Sequence, residues 1–270
     1  MEGITIHSDE KFTVFEIECF SNELKEKIKT EIVEICHGEA ALTSDLEWYS
    51  YKETLAELIN HRLPRNHSQK VGFIGELLLN VILRAFTDLK IISPFFNMEE
   101  RNVKKGFDLI SVDKENNLWL IESKAGELDQ TNLNPTLKVK ERIRVARQDL
   151  VTRLNRKNTQ LWLNATNSVK VSCKSDDEKD NVLQIIANIG KTNKSNDKSV
   201  VLGGIVFCKI STRIDLDSIG ELSKEIEKKG DFDRVRVVAI HKETFERIEE
   251  FLKQLLLGKN DEKINIKKTL

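Results

Sequence analysis

The chain has 270 residues, 43 basic and 44 acidic side chains, a formal net charge of −1, and 39% hydrophobic and 32% charged residues. That composition gives a soluble globular class with room for a sizeable core, and no apolar run reaches the roughly 18 to 20 residues that cross a bilayer. A near-neutral charge argues against a dedicated nucleic-acid coat, and the start Met-Glu-Gly-Ile-Thr-Ile-His lacks a basic segment followed by an apolar one, so a cytoplasmic protein is expected.

Residues 11–20 alternate Phe15, Ile17 and Cys19 against Glu16 and Glu18, the signature of a half-buried strand. Ser21 can cap a helix with Leu24, Ile28, Ile32 and Ile35 on one face, closed near Gly38. A second helix is expected from Ser44 or Asp45 to about Asn60, before Pro64 breaks the pattern. Residues 71–86 are apolar around most of a helix, with Glu76 alone in the middle behind Gly72 and Gly75. Residues 89–96 suggest a strand that tolerates Pro94 at a sheet edge.

Two short apolar runs, 107–112 and 118–121, then flank a polar Asp-Lys-Glu-Asn-Asn turn, which predicts a β-hairpin. Alternation puts Glu122 and Lys124 on one face, and a tight hairpin brings Asp108 opposite the end of the second strand. Two carboxylates and a lysine inside apolar strands need a cation or an anionic ligand to compensate them. After a polar connection, residues 125–136, comes a long helix with Val139, Ile143, Ala146, Leu150 and Leu154 as its core stripe and Lys140, Arg144 and Arg147 along a flank. Residues 136–160 carry eight basic side chains against Glu141 and Asp149, a local excess of six positive charges.

Residues 161–173 fit helix or strand. Helix is expected over 176–189, a solvated loop over 191–199, a strand over 200–210, a helix over 215–228, a strand over 235–240 and a helix over 242–257, with a polar tail from Gly258. The alternation predicts an α/β fold, a mixed central β-sheet flanked by helices. Its division is an N-terminal strand-helix elaboration over 1–68, a core domain over 69–257 and a tail over 258–270. Four scattered cysteines show no zinc spacing, and Gly190-Lys191-Thr192 mimics a phosphate-binding loop but has Ile185 where its first glycine belongs. His61 and His67 have no acidic metal partner at ligand spacing, and Trp48, Trp119 and Trp162 are taken as core or subdomain-contact residues.

Asp108 followed by Glu122-x-Lys124 at a strand end resembles the PD-(D/E)xK nuclease superfamily, with Glu76 matching its helical acid and the helix from Lys138 matching the one after its third strand. The proline that often precedes the aspartate is absent, since Gly106-Phe107 stand there. The resemblance implies a restriction-endonuclease-like core and a Mg²⁺ (or Mn²⁺) ion on Asp108, Glu122 and the Ser123 carbonyl. It further implies that Lys124 orients water or stabilises charge, that Glu76 supports the metal shell, and that Lys138, Lys140, Arg144, Arg147 and Gln148 meet DNA. Together with Gly75-Glu76, Gly106-x-Asp108 and Ala125-Gly126, these motifs also resemble the HamA family, nuclease effectors of bacterial Hachiman antiphage defence. That implies a DNA endonuclease of little sequence preference restrained by a superfamily 2 helicase partner. Two other readings stay open: a non-catalytic nucleic-acid-binding or docking module on a degenerate nuclease fold, and a restriction-like or junction-cutting nuclease.

Overall fold

The computed structural model describes residues 1–96, 106–128, 134–209 and 212–258. Its frame is one seven-stranded mixed sheet, made by β1 (Ile4–Ser8), β2 (Phe12–Ile17), β3 (Lys90–Ile91), β4 (Leu109–Val112), β5 (Leu118–Glu127), β6 (Ser199–Phe207) and β7 (Arg234–Lys242). The order across it is β1-β2-β7-β6-β5-β4-β3. Strands β2, β7, β6 and β5 are mutually parallel, while β1 closes one edge and β4 and β3 the other by antiparallel pairing. Because β1 and β2 extend the sheet from β7, the first residues of the chain share a sheet with the hairpin.

Helices cover both faces, as a largely parallel sheet requires. One face carries α1 (Asn22–His37), α2 (Tyr51–Ala56), α3 (His67–Phe86) and α8 (Glu246–Leu256). The other carries α4 (Pro135–Leu154), α5 (Thr159–Ser172), α6 (Asp176–Ile189) and α7 (Leu216–Lys228). The expected caps of α1 are present: the Ser21 hydroxyl accepts from the Leu24 N–H at 3.3 Å, and Gly38 ends the helix at φ 92°.

The fold departs from expectation where the covering layers intervene. Strand β2 does not have one wet face: Glu16 is 1% exposed, taking hydrogen bonds from Arg213 at 2.5 Å and from the Ile214 N–H at 3.2 Å. The second helix begins at Tyr51, after two 3₁₀ turns, and runs on as a π-helical segment, Glu57–Arg62. The strand expected over 89–96 shrinks to Lys90–Ile91, because the N–H groups of Phe95 and Phe96 bond the Ile35 and Cys36 carbonyls of α1 instead of a ladder. Residues 161–173 resolve as helix, in α5. Trp48 is 70% exposed rather than buried, whereas Trp119 is in the core. Parts of three expected segments lie outside the described residues: 129–133 of the connection, position 210 of the strand ending there, and 259–270 of the tail.

Two glycines set how closely helices approach the site strand. A Cβ on Gly75 of α3 would stand 2.4 Å from the Ala125 Cβ of β5, and one on Gly204 of β6 would stand 2.7 Å from Ile143 Cγ1 and 2.9 Å from the Val139 carbonyl of α4. Hydrogen in place of a side chain lets α3 settle on one face of the β5–β6 pair and α4 on the other. Since Lys124 pairs with Gly204, α4 lies directly over the residues that end the hairpin.

Candidate active site

The hairpin registers Leu109 against Ile121, which brings Asp108 beside Glu122 one step past the last ladder pair. Strand β5 outruns β4 from there to Glu127. Beyond the last β4 pair the Ser123 N–H turns to a side chain, donating to Asp108 Oδ2 at 2.7 Å, and the Ser123 hydroxyl donates to the same oxygen at 3.1 Å. The N–H and C=O of a strand residue face the same side, so the Ser123 carbonyl also points past the end of β4.

Glu122 and Lys124 follow Leu118 and Leu120 on the face covered by α4. Glu122 is 2% exposed, and its Oε1 accepts from Lys124 Nζ at 2.7 Å. Its Oε2 accepts from Arg153, whose second terminal nitrogen donates to the Gly106 carbonyl at 2.6 Å. Lys124 reaches back to Asp149 of α4 at 3.1 Å. The result is a chain of alternating charge, Asp149, Lys124, Glu122 and Arg153, with Asp108 on its flank.

Burial, reinforced by the Asp108 charge, pushes the Glu122 carboxyl up to about 7 against the opposing pull of Arg153 and Lys124. Burial also works against charge on Lys124, but the charge and hydrogen bond of Glu122, with Asp108 and Asp149, outweigh it and raise the ammonium. With all five groups ionised, three carboxylates face two cations, so the cluster keeps a negative charge.

Asp108, Glu122, Ser123 and Lys124 are therefore brought together. Glu76 is half-buried on α3, whose Gly75 packs on Ala125, placing it on the opposite face of the sheet from Lys124. The basic helix divides into two flanks. At 3.6 residues per turn, Lys138, Arg142, Asp149 and Arg153 recur along one side, and Lys140, Arg144 and Arg147 lie roughly half a turn away. The first flank lies over β5, with Lys138 Cε and Arg142 Cδ 3.2 and 3.5 Å from where a Cβ on Gly126 would stand. The second turns to α7 and the turn after it: Arg144 pairs with Glu225 at 2.9 Å, Arg147 Nε with Asp231 at 2.7 Å, and Lys140 interacts with Asp215. Gln148 is exposed and bonds Thr152 at 3.3 Å.

Arg153 and Asp149 were visible in the sequence only as members of a charged window. Their spacing of four residues matches the Glu122-x-Lys124 pair beneath them, and that complementarity was the available signal.

A family model described as HamA matches residues 4–256, nearly the whole chain. The chain belongs to the HamA family. HamA membership carries the coarse functional statement, a nuclease-like effector of Hachiman antiphage defence. No curated protein and no solved structure matches the chain. The HamA match spans α3, the hairpin and α4, so every element of the cluster falls inside it. Among the described residues no helix is long and apolar enough to cross a membrane.

Proposed function

We propose that this chain is a metal-dependent DNA endonuclease of little sequence preference, the cutting subunit of a defence system held in check by a helicase partner. The observation that carries the reading is the meeting of Asp108 with Glu122-Ser123-Lys124 on β5, just past the last β4 pair. Hard divalent cations prefer oxygen donors, and the donor set here is two carboxylates and a carbonyl on adjacent positions of two strands. The negative charge left on the cluster suits a cation as well. Asp108, Glu122 and the Ser123 carbonyl would hold Mg²⁺ or Mn²⁺. When bound, the metal supplies Lewis acidity toward a phosphoryl oxygen and lowers the pKa of water.

The chain's own groups do the rest. Asp108 and Ser123 fix each other, so the carboxylate and the carbonyl keep one geometry. Lys124 presents an ammonium beside Glu122 that can orient water or meet charge developing on the phosphate. Lys138 and Arg142, on the flank over β5, would meet the DNA backbone, a contact that carries no sequence information. The helicase partner follows from family membership alone.

A second reading is favoured by one feature: both Glu122 oxygens are taken by cations of the chain itself, as in a permanent salt-bridge cluster of a non-catalytic docking module. The deciding experiment incubates the purified protein, with and without its helicase, with duplex and single-stranded DNA and Mg²⁺ or Mn²⁺. Cleavage that disappears in Glu122→Ala and Lys124→Ala supports the nuclease. Cleavage that survives both substitutions overturns the assignment of this site, and no cleavage together with a Mn²⁺ isotherm unchanged in Asp108→Ala supports the docking module.

A further inference from the structure

Arg153 occupies the carboxylate that the metal reading requires. Glu122 is almost wholly buried, and whenever it is ionised its charge must be neutralised. Without a divalent ion, the guanidinium of Arg153 does this from α4, bridging Glu122 Oε2 and the Gly106 carbonyl, two residues before Asp108. That position lies between the two chain segments whose carboxylates would share a cation. A divalent ion there and a guanidinium on the same carboxylate are like charges at contact distance, which a buried site does not tolerate.

We propose that Arg153 is a placeholder cation: it balances Glu122 when the site holds no metal and withdraws when a divalent ion binds. This rests on the metal reading of the site. The withdrawn guanidinium has a partner at hand, since Asp149 stands four residues earlier on the same helical flank, in the acid-before-base order that favours such pairs. Asp149 now pairs with Lys124 at 3.1 Å, so its capture by Arg153 relieves Lys124 of one of its two carboxylates. One exchange thus opens Glu122 to the metal and turns Lys124 toward the substrate.

The test is Mn²⁺ binding by titration calorimetry on the full chain, with no reliance on cutting. Arg153→Gln leaves Glu122 without its competitor and binds Mn²⁺ about tenfold more tightly or better, while its metal-free form melts at lower temperature. Arg153→Lys keeps the charge and stays within about threefold of the parent. A second measurement needs no neutral variant: the guanidinium NMR signal missing from Arg153→Lys is protected from exchange in the metal-free parent and loses that protection on adding Mg²⁺. Equal or weaker Mn²⁺ binding by Arg153→Gln, or a guanidinium signal unmoved by saturating Mg²⁺, overturns the placeholder and leaves the metal reading standing. Absence of Mn²⁺ binding by the parent and Arg153→Gln alike overturns the metal reading and the placeholder with it.

Discussion

Asp108 and Ser123 are joined twice, by the backbone N–H at 2.7 Å and the hydroxyl at 3.1 Å, both on one carboxylate oxygen. The contact replaces the ladder bond that β5 loses where β4 ends, so a side chain proposed to hold metal also finishes a strand. It separates the two roles of Asp108. In Asp108→Asn the amide oxygen can still accept from Ser123, so the melting temperature stays close to the parent, while Mn²⁺ binding and cutting both fall by about 100-fold or more. Lys124→Met behaves differently, losing cutting but keeping metal binding. Calorimetry beside a plasmid-nicking assay reads the split; a Lys124→Met protein that cuts normally removes the lysine from the chemistry.

The Glu122 carboxyl gives a pH signature. It keeps its proton up to about 7 in the folded chain, against an ordinary value of 4.5. Between those values the folded state binds more protons than the unfolded one, so stability falls as pH rises through that window, by up to about 3 kcal/mol. Glu122→Gln cannot ionise and loses this slope. Urea denaturation in chelator at pH 5 and pH 8 checks it: the drop in stability should be smaller in Glu122→Gln than in the parent, and equal drops would assign the slope to other groups.

The contact of Gly75 with Ala125 predicts a paired effect. In Gly75→Ala the new methyl meets the Ala125 Cβ at 2.4 Å, and pushing α3 off β5 costs about 1–3 kcal/mol. Ala125→Gly in the same chain removes the opposing methyl and restores much of that loss. Because Glu76 follows Gly75, the single variant also shifts the acid on α3, and activity should recover with stability in the double variant. Chemical denaturation and cutting rates on the four proteins of the cycle measure both.

Much of this was legible in the residues, for reasons that remain visible in the structure. Ser21 and Gly38 bracket α1 because a side-chain oxygen and a positive φ are local needs, met by local chemistry. The hairpin was legible because Asp113 takes the Glu115 and Asn117 N–H groups at 3.0 and 2.9 Å and Asn116 adopts φ 61°, all within the turn itself. What stayed hidden came from distant partners. Glu16 looked solvated because the residues that bury it, Arg213 and Ile214, lie nearly two hundred positions later. Arg153 looked like one of many basic residues because only the approach of α4 over Gly204 decides which flank meets β5.

That division of α4 yields the last prediction. Arg147 is a largely buried partner of Asp231, so Arg147→Ala costs about 2 kcal/mol of stability, whereas the exposed Arg144–Glu225 pair is worth less than about 1 kcal/mol. Both residues face α7 and its following turn rather than β5, so a phosphate held by either lies away from the carboxylate cluster. Lys138 and Arg142 border β5 and share the exposed Glu141. Each that meets a phosphate adds about 0.9 to the slope of log affinity against log salt for duplex DNA. Lys138→Gln with Arg142→Gln should therefore flatten that slope by nearly two, while Arg144→Gln leaves it within about half a unit of the parent. Fluorescence anisotropy with duplex DNA across a salt series, in Ca²⁺ to prevent cutting, gives the slopes. The reverse ranking would place DNA on the α7 side and detach the binding path from the carboxylate cluster.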